Sequence, residues 1–521
     1  MPYFAGSGRA TKERDVFMKK LVSILMASVL LLSVSACGGG KKAAKGEDPN
    51  TVPSDPYEIQ WYIKYSPQKD VDLVEEELNK YLKDKINATV NMVMLDPGQY
   101  NDKVSTMIKS GEYFDLAFAS TSALDYLSNS VSGAFAPLTD YRDTYLKGIF
   151  DQLPQEMIDA ATVNGEIYAV PTYKEIVTQR GWIYRKDIAE KYNIDMSKYK
   201  TLEDFKPVAE MLKKNEPSID YPIDWDKSYY SIPYMYMNTP IMYPLENLRV
   251  LAIESADEGG DPSKIILTKD RKSDSGKRAY EATRDYYKSG LVKGDVATAS
   301  DLKARFNAGK TFAYYTELKP GKAAELQQSC QYPIAQAETT DVYMDGLPGL
   351  GSLQVISTTS KNPERTARFL NLLNTDPVVK NLVVYGIEGK HYKKVNDNTV
   401  ELIDNSGYNM SGNTWALGNV FIDYLKTTDD PEKLIKLKEF NEKGKVRTGT
   451  GFVFDSSSVS HLIPQIIDAM KPYENIGAFG SVDIDYDAEM DKYYTMLDKT
   501  PVKQVQEEMQ KQYDKFLETH K

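Results

Sequence analysis

Two rhythms of apolar and polar positions share most of the chain. Ile59-Gln60-Trp61-Tyr62-Ile63 reads as a strand, and Val71, Val74, Leu78 and Leu82 then recur at helical spacing behind Asp70, a candidate cap. The pattern repeats at once. Val90, Met92 and Met94 alternate as a half-buried strand, Tyr100, Val104, Met107 and Ile108 line a helix, and Asp115 to Ala119 form a third strand. Strands separated by helices of this length predict a parallel sheet, and in such sheets ligands bind beyond the carboxyl ends of the strands. The loops Tyr65–Pro67 and Ser120–Ser122 therefore become candidate ligand contacts. Further on, Asn362-Pro363 and Thr500-Pro501 each predict a cap and first turn before an amphipathic helix. Thr201-Leu202-Glu203-Asp204 has the form of a capping box, although Pro207 would remove one bond from the helix it opens. No repeat of fixed period is found, which argues against a solenoid or propeller.

A different pattern precedes these elements. Met18-Lys19-Lys20 followed by the apolar run Leu21–Val34 has the charged start and short apolar middle of a secretory signal. The run is too short, and too diluted by Ser23, Ser28 and Ser33, to span about 30 Å of hydrocarbon. Val34-Ser35-Ala36-Cys37 resembles the lipobox of bacterial lipoproteins, which implies cleavage before Cys37 and a lipid anchor on its sulfur. The expected organisation is an upstream misassigned start at 1–17, a signal peptide at 18–36 and a glycine- and lysine-rich tether at 37–55.

Charge and cysteine content then narrow the possibilities. A net charge of −11 provides no basic stripe for phosphate contacts, so nucleic acid is excluded as a partner. Cys330 is the only other cysteine, so no intramolecular disulfide staples the exported part, and stability must come from core burial. Roughly 480 residues remain after cleavage, enough for two lobes that each bury a core.

Most motif-like stretches lack a residue that the chemistry requires. Gly309-Lys310-Thr311 suggests a phosphate loop, but Ala304 stands where its leading glycine belongs. Gly346 to Ser352 has glycine spacing without the lysine, and predicts a loop whose backbone must approach another group, a ligand being one choice. Asp483, Asp485 and Asp487 imitate the start of a calcium loop, yet Ala488 and Tyr494 replace its glycine and bidentate glutamate. His391, His461 and His520 are scattered, and neither a metal nor a cofactor is expected. The 37 tyrosines and 4 tryptophans carry more information, because aromatic rings stack on the C–H faces of sugars; Trp225, Tyr229, Tyr230, Tyr234 and Tyr236 are crowded together.

From Ser110 to Ile188 the chain resembles the family 1 extracellular solute-binding proteins of ABC importers, the maltose-binding-protein-like group. The carriers are Lys109-Ser110-Gly111-Glu112-Tyr113-Phe114-Asp115-Leu116, Phe135 to Asp140, Asn164 to Pro171, and Trp182 to Asp187. Phe306 to Lys310 and Ser360 to Leu370 continue the likeness, and Gly451 to Tyr513 is similar to the C-terminal region of LplA-type lipoproteins. The resemblance implies a bilobed α/β Venus-flytrap fold of type II, with a solute cleft between two sheet-and-helix lobes. Lobe 1 would hold 56–172 with about 331–375, and lobe 2 would hold 173–330 with about 376–521.

The site residues implied by that resemblance come from both lobes. Trp61, Tyr65, Ser120 and Thr121 stand at first-lobe strand ends, with Tyr173 and Trp182 beside the first crossing. Trp225, Tyr229 and Tyr230 would form a second-lobe platform, and Tyr315 and Glu317 would bring another ring and a carboxylate. Gly351 and Ser352 would offer backbone or hydroxyl contacts, while Phe452 and Asp455 would come over the cleft with the C-terminal segment. The implied function is a monomeric, non-enzymatic receptor, anchored to the membrane by its lipid, that delivers an oligosaccharide to permease subunits driven by a separate ATPase. Two alternatives stay open: a receptor for peptides or other polar solutes, using Arg180 or Lys174, and a surface glycosidase using paired carboxylates.

Overall fold

The computed structural model describes residues 48–227, 231–237, 239, 241–245, 247–271, 273–327, 329–473 and 480–520. The signal peptide, Cys37, Tyr229 and Tyr230 lie outside these residues. Strands β1 (Tyr57–Lys64), β2 (Ala88–Leu95) and β3 (Leu116–Ala119) are joined by helices α1 (Val71–Ile86) and α2 (Pro97–Ser110). They are parallel, with Tyr57 to Lys64 paired in register against Ala88 to Leu95. Alternation on β1 buries Ile59, Trp61 and Ile63 on one face, where α1 adds Val74, Leu78 and Leu82. Each such aliphatic side chain contributes about 1.5–3 kcal/mol by leaving water.

After helix α3 (Tyr126–Val131) the chain adds β4 (Ala169–Pro171) and crosses to a second sheet. That sheet contains β5 (Val177–Arg185), β6 (Tyr221–Ile223), β7 (Thr311–Leu318) and β8 (Ile334–Glu338) in the order β8-β5-β7-β6. Its core is built on Trp182, Phe205, Trp225, Tyr286 and Phe312, with helices α4 (Leu202–Asn215) and α5 (Ser275–Lys288) packed against it. Strand β9 (Leu353–Ile356) then returns to the first sheet and inserts antiparallel between β3 and β4. Helices α6 (Pro363–Thr375) and α7 (Pro377–Tyr385) cover that sheet. From Val52 onward the chain forms one unit of two lobes.

The lobe boundaries need two corrections. Strand β8 hydrogen-bonds to β5, so residues from 331 to the crossing at about 345 belong with the second sheet and not with lobe 1. Residues 376 to about 442, expected in lobe 2, pack on lobe 1 instead. Val379, Val383, Tyr408, Leu417, Leu437 and Phe440 all join the core around Trp61 and Phe369. The remaining C-terminal part, from Phe452 to α8 (Val502–Thr519), packs with Leu248 to Leu267 in a separate cluster on the second-lobe side.

Local expectations fare unevenly. Asn362 caps α6 by accepting from the Arg365 amide, and the Thr201–Asp204 capping box is complete with Pro207 held inside α4. Asp70 makes no capping bond, because its carboxylate is engaged by Lys390 at 2.9 Å and lies 3.4 Å from His391. Thr500 caps no start either: its hydroxyl donates back to the Leu497 carbonyl at 2.7 Å.

Candidate functional site

Three chain segments cross between the lobes and are bonded to one another. The Asp345 amide donates to Ile176, Met344 to Lys445, and Gly451 to Gly346 at 2.7 Å. The glycine-rich loop is explained here: a Cβ on Gly349, whose φ is +88°, would lie 2.9 Å from Met157 and 3.1 Å from Pro171. The close approach demanded by the sequence is therefore to the protein itself, to Met157 of the first lobe and to Pro171 at the first crossing.

Beside these crossings lies a cavity of about 580 Å³ with walls from both lobes. The first lobe supplies Thr121 from the end of β3, Asp125 and Ser128 at the start of α3, and Val163. The second lobe supplies Leu245, Asn247, Arg249, Phe454, Asp455 and Ser457. Asp455 is placed by a reciprocal clamp, since its amide donates to Gln512 Oε1 and Gln512 Nε2 donates to its carbonyl, both at 2.9 Å. Partial burial works against its charge, but hydrogen bonds from the Ser457 amide and from Asn164 outweigh it and hold the carboxyl below the usual range. A mixed wall of apolar patches, hydroxyls, amides, the carboxylates of Asp125 and Asp455 and the guanidinium of Arg249 suits a polyhydroxylated solute that both donates and accepts hydrogen bonds.

Of the residues singled out from sequence, the structure brings Thr121 and Asp455 to this cavity. Five aromatic candidates need correction, because they are core residues with no face to offer. Trp61 packs edge-on to Phe369, Trp182 donates from Nε1 to the Tyr199 carbonyl, Trp225 lies near Tyr286, Tyr315 bonds Thr339, and Phe452 is enclosed by Tyr513 and Phe516. Ser120 is buried and spends its hydroxyl oxygen on the amides of Ser122 and Ala123. Ser352 is buried as well, whereas Gly351 is exposed at the mouth of β9. Glu317 is exposed on β7 opposite Arg180 of β5. Tyr65 and Tyr173 are half-buried: the first donates to Asn409, and the second lies 4.7 Å from Phe421. Arg180 and Lys174 are already engaged, by the Tyr234 ring and by Glu175.

Asp125, Ser128, Asn247 and Arg249 of the cavity wall carry no motif in the sequence, and Trp415 stands apart from the aromatic candidates named there. Trp415 is 41% exposed, the most open aromatic ring among the described residues, and meets Phe118 at the end of β3 edge to face at 5.6 Å. Its polar, glycine-containing setting, Ser411-Gly412-Asn413-Thr414, was the available signal. Asp345, at the second crossing, was also unremarked. Burial, and then Glu317, push its carboxyl up to about 7 against Lys174, Arg447 and Arg180. Among the described residues no group of His, Cys, Asp and Glu could hold a metal. The acidic turn accordingly disperses, with Asp483 on Arg284, Asp485 capping a helix and Asp487 on Lys277.

The model of a bacterial extracellular solute-binding protein matches residues 78–387, more than half of the chain. The chain belongs to that family. A second model, of a domain of unknown function, matches residues 448–518 and so covers the segment that brings Asp455 to the cavity. A carbohydrate ABC transporter substrate-binding protein of Streptococcus pneumoniae is 28% identical over 96% of this chain and 99% of its own. The crystal structure of an N-glycan transport solute-binding protein from the same organism superposes with a TM-score of 0.76. It is 27% identical, covering 90% of this chain and all of the other. The same protein has been solved with Man1GlcNAc and with Man5GlcNAc, at TM-scores of 0.68 and 0.65. The family is one of solute-binding receptors of importers and not of enzymes, and its members act outside the cytoplasm.

Proposed function

We propose that this solute-binding protein is the lipid-anchored receptor of a carbohydrate importer. It captures an oligosaccharide between its lobes and delivers it to permease subunits powered by a separate ATPase. The observation that carries the reading is the cavity of about 580 Å³ walled by Thr121 and Asp125 on one side and by Arg249 and Asp455 on the other. A ligand touching both walls favours the closed arrangement by the difference in its affinity for the two states. Cys37 would carry the lipid, and the tether after it would keep the lobes within reach of the permease.

The test is calorimetry on the soluble chain starting at residue 46, which keeps the whole folded unit, with mono- and oligosaccharides of mannose and N-acetylglucosamine and with short peptides as controls. Micromolar or tighter binding of an oligosaccharide without turnover supports the reading. Binding of peptides alone replaces it with a peptide receptor, and release of a cleaved sugar replaces it with a glycosidase.

A further inference from the structure

The segment from Asn413 to Asp423 runs through two short 3-10 turns, Ser411–Ala416 and Val420–Ile422, joined by a bend, and buried polar side chains of the first lobe hold three of its consecutive carbonyls. The Ser352 hydroxyl donates to the Trp415 carbonyl at 2.7 Å and is also hydrogen-bonded to Thr172 Oγ1 at 3.0 Å. Gln354 Nε2 donates to Ala416 at 2.6 Å, and the Lys380 ammonium to Leu417 at 2.8 Å. The Asn419 amide donates to Asn374 Oδ1 at 2.9 Å, and Gly418, with φ +92°, leaves the space this approach needs. Ser352, Gln354, Asn374 and Lys380 are each no more than 1% exposed. Burying this many polar groups carries a desolvation cost that hydrogen bonding only offsets, so the loop is held in one geometry at a sacrifice of apolar packing.

What the clamped loop presents is the Trp415 indole. Of the chain's four tryptophans, Trp61, Trp182 and Trp225 are 0%, 0% and 1% exposed, and Trp415 alone is open, at 41%. It stands over Phe118, three residues before the cavity-lining Thr121, and its carbonyl is tied through Ser352 and Thr172 to the two crossings that flank β4 and β9. We infer that Trp415 is a preformed stacking platform for one sugar ring of the ligand, outside the cavity wall, and that Ser352, Gln354 and Lys380 are the residues that position it. This rests on the receptor reading above, and it names the residue that sequence reasoning had sought in Trp61 and Trp225. A fixed indole needs no ordering when the ligand arrives, so the stacking is realised almost fully as affinity.

The probe is Man5GlcNAc, titrated by calorimetry and by tryptophan emission into the wild-type chain, Trp415→Phe and Trp415→Ala. Because the other three indoles are buried, emission from the long-wavelength edge and its quenching by acrylamide report Trp415. Saturation is expected to shift the wild-type emission to shorter wavelength and protect it from acrylamide. Trp415→Ala loses the shift and binds about tenfold more weakly, with Trp415→Phe between the two. Trp415→Phe keeps a ring against Phe118 and is expected to melt near the wild type, while any fall for Trp415→Ala is read separately, since affinity is measured well below its melting temperature. Glycan binding indifferent to Trp415→Ala, or wild-type emission that ignores bound glycan, overturns the platform alone. Absence of any glycan binding by calorimetry overturns the receptor reading and the platform with it.

Discussion

Asn164 Nδ2 donates to the Asp455 carboxylate at 3.0 Å, and so joins a first-lobe turn to the C-terminal segment at the rim of the cavity. The bond leaves Asp455 oriented and ionised, ready to accept sugar hydroxyls. Asp455→Ala is expected to weaken Man5GlcNAc binding about three- to tenfold, the value of one ordinary hydrogen bond at a partly solvated site. Its melting temperature should barely move, because the carboxylate is partly exposed. The carboxyl is held below the usual aspartate range, so its contribution is present above that range and is lost only as pH falls through the depressed value. Affinity measured by calorimetry should therefore stay level from pH 8 to 5 as far as this group is concerned. An Asp455→Ala variant with unchanged affinity would remove the cavity from consideration as the sugar site.

Asp345 gives the opposite sign. Its carboxyl is pushed up to about 7, first by burial and then by Glu317, despite Lys174, Arg447 and Arg180 nearby. The folded protein therefore keeps a proton that the unfolded chain releases above about pH 3.9, and the group's contribution to stability is full below that value and declines as pH rises towards 7. Asp345→Asn should raise stability at pH 8 by roughly 1–2 kcal/mol over the wild type, a figure reduced from the full shift because the residue is not wholly enclosed. At pH 4 the gain should vanish. Urea midpoints at the two pH values decide it, and equal differences at both would show that Asp345 does not titrate in this window.

The βαβαβ start was legible because β1, α1, β2, α2 and β3 are each specified by their own periodicity and turn residues. The lobe assignment of residues 376–442 was not. Val383, Tyr408 and Leu437 would satisfy either lobe's core equally well, and only tertiary packing shows which core they join. The site failed for a related reason. Trp61 and Trp225 have the ring chemistry a sugar requires, but the same chemistry fills cores, and exposure is a property of the fold. Thr121 was legible because a strand's carboxyl end has a geometric meaning, whereas Trp415 sits in a short 3-10 turn between longer elements, whose placement depends on Ser352, Gln354 and Lys380.

The crossing loop makes a backbone prediction. Gly349 adopts φ +88°, and an added Cβ would meet Met157 at 2.9 Å and Pro171 at 3.1 Å. Gly349→Ala should cost about 1–3 kcal/mol through strain and displacement of those neighbours. Gly351→Ala, where a Cβ meets nothing within 4 Å, should cost far less. Thermal unfolding of the pair provides the comparison, and equal losses would show that the loop can relax away from Met157.

Lys380 lies 3.3 Å from the Asp423 carboxylate, with exposures of 0% and 8%, while also donating to the Leu417 carbonyl. Burial lowers the lysine's pKa and raises that of Asp423 to about 6, so each group is sustained by the other. Lys380→Met leaves the buried Asp423 carboxylate without its nearest cation, facing the Thr414 hydroxyl and Lys433, and leaves the Leu417 carbonyl unpaired. It should cost about 3–5 kcal/mol, whereas adding Asp423→Asn should restore part of the loss. Because the Leu417 carbonyl anchors the loop that carries Trp415, the double variant should still bind Man5GlcNAc more weakly than the wild type even where its fold is recovered. Urea unfolding and calorimetry on the single and double variants separate the two effects. A Lys380→Met protein as stable as the wild type would mean that Asp423 finds water or another partner. A refolded double variant with full affinity would mean that the loop holds its indole without the lysine.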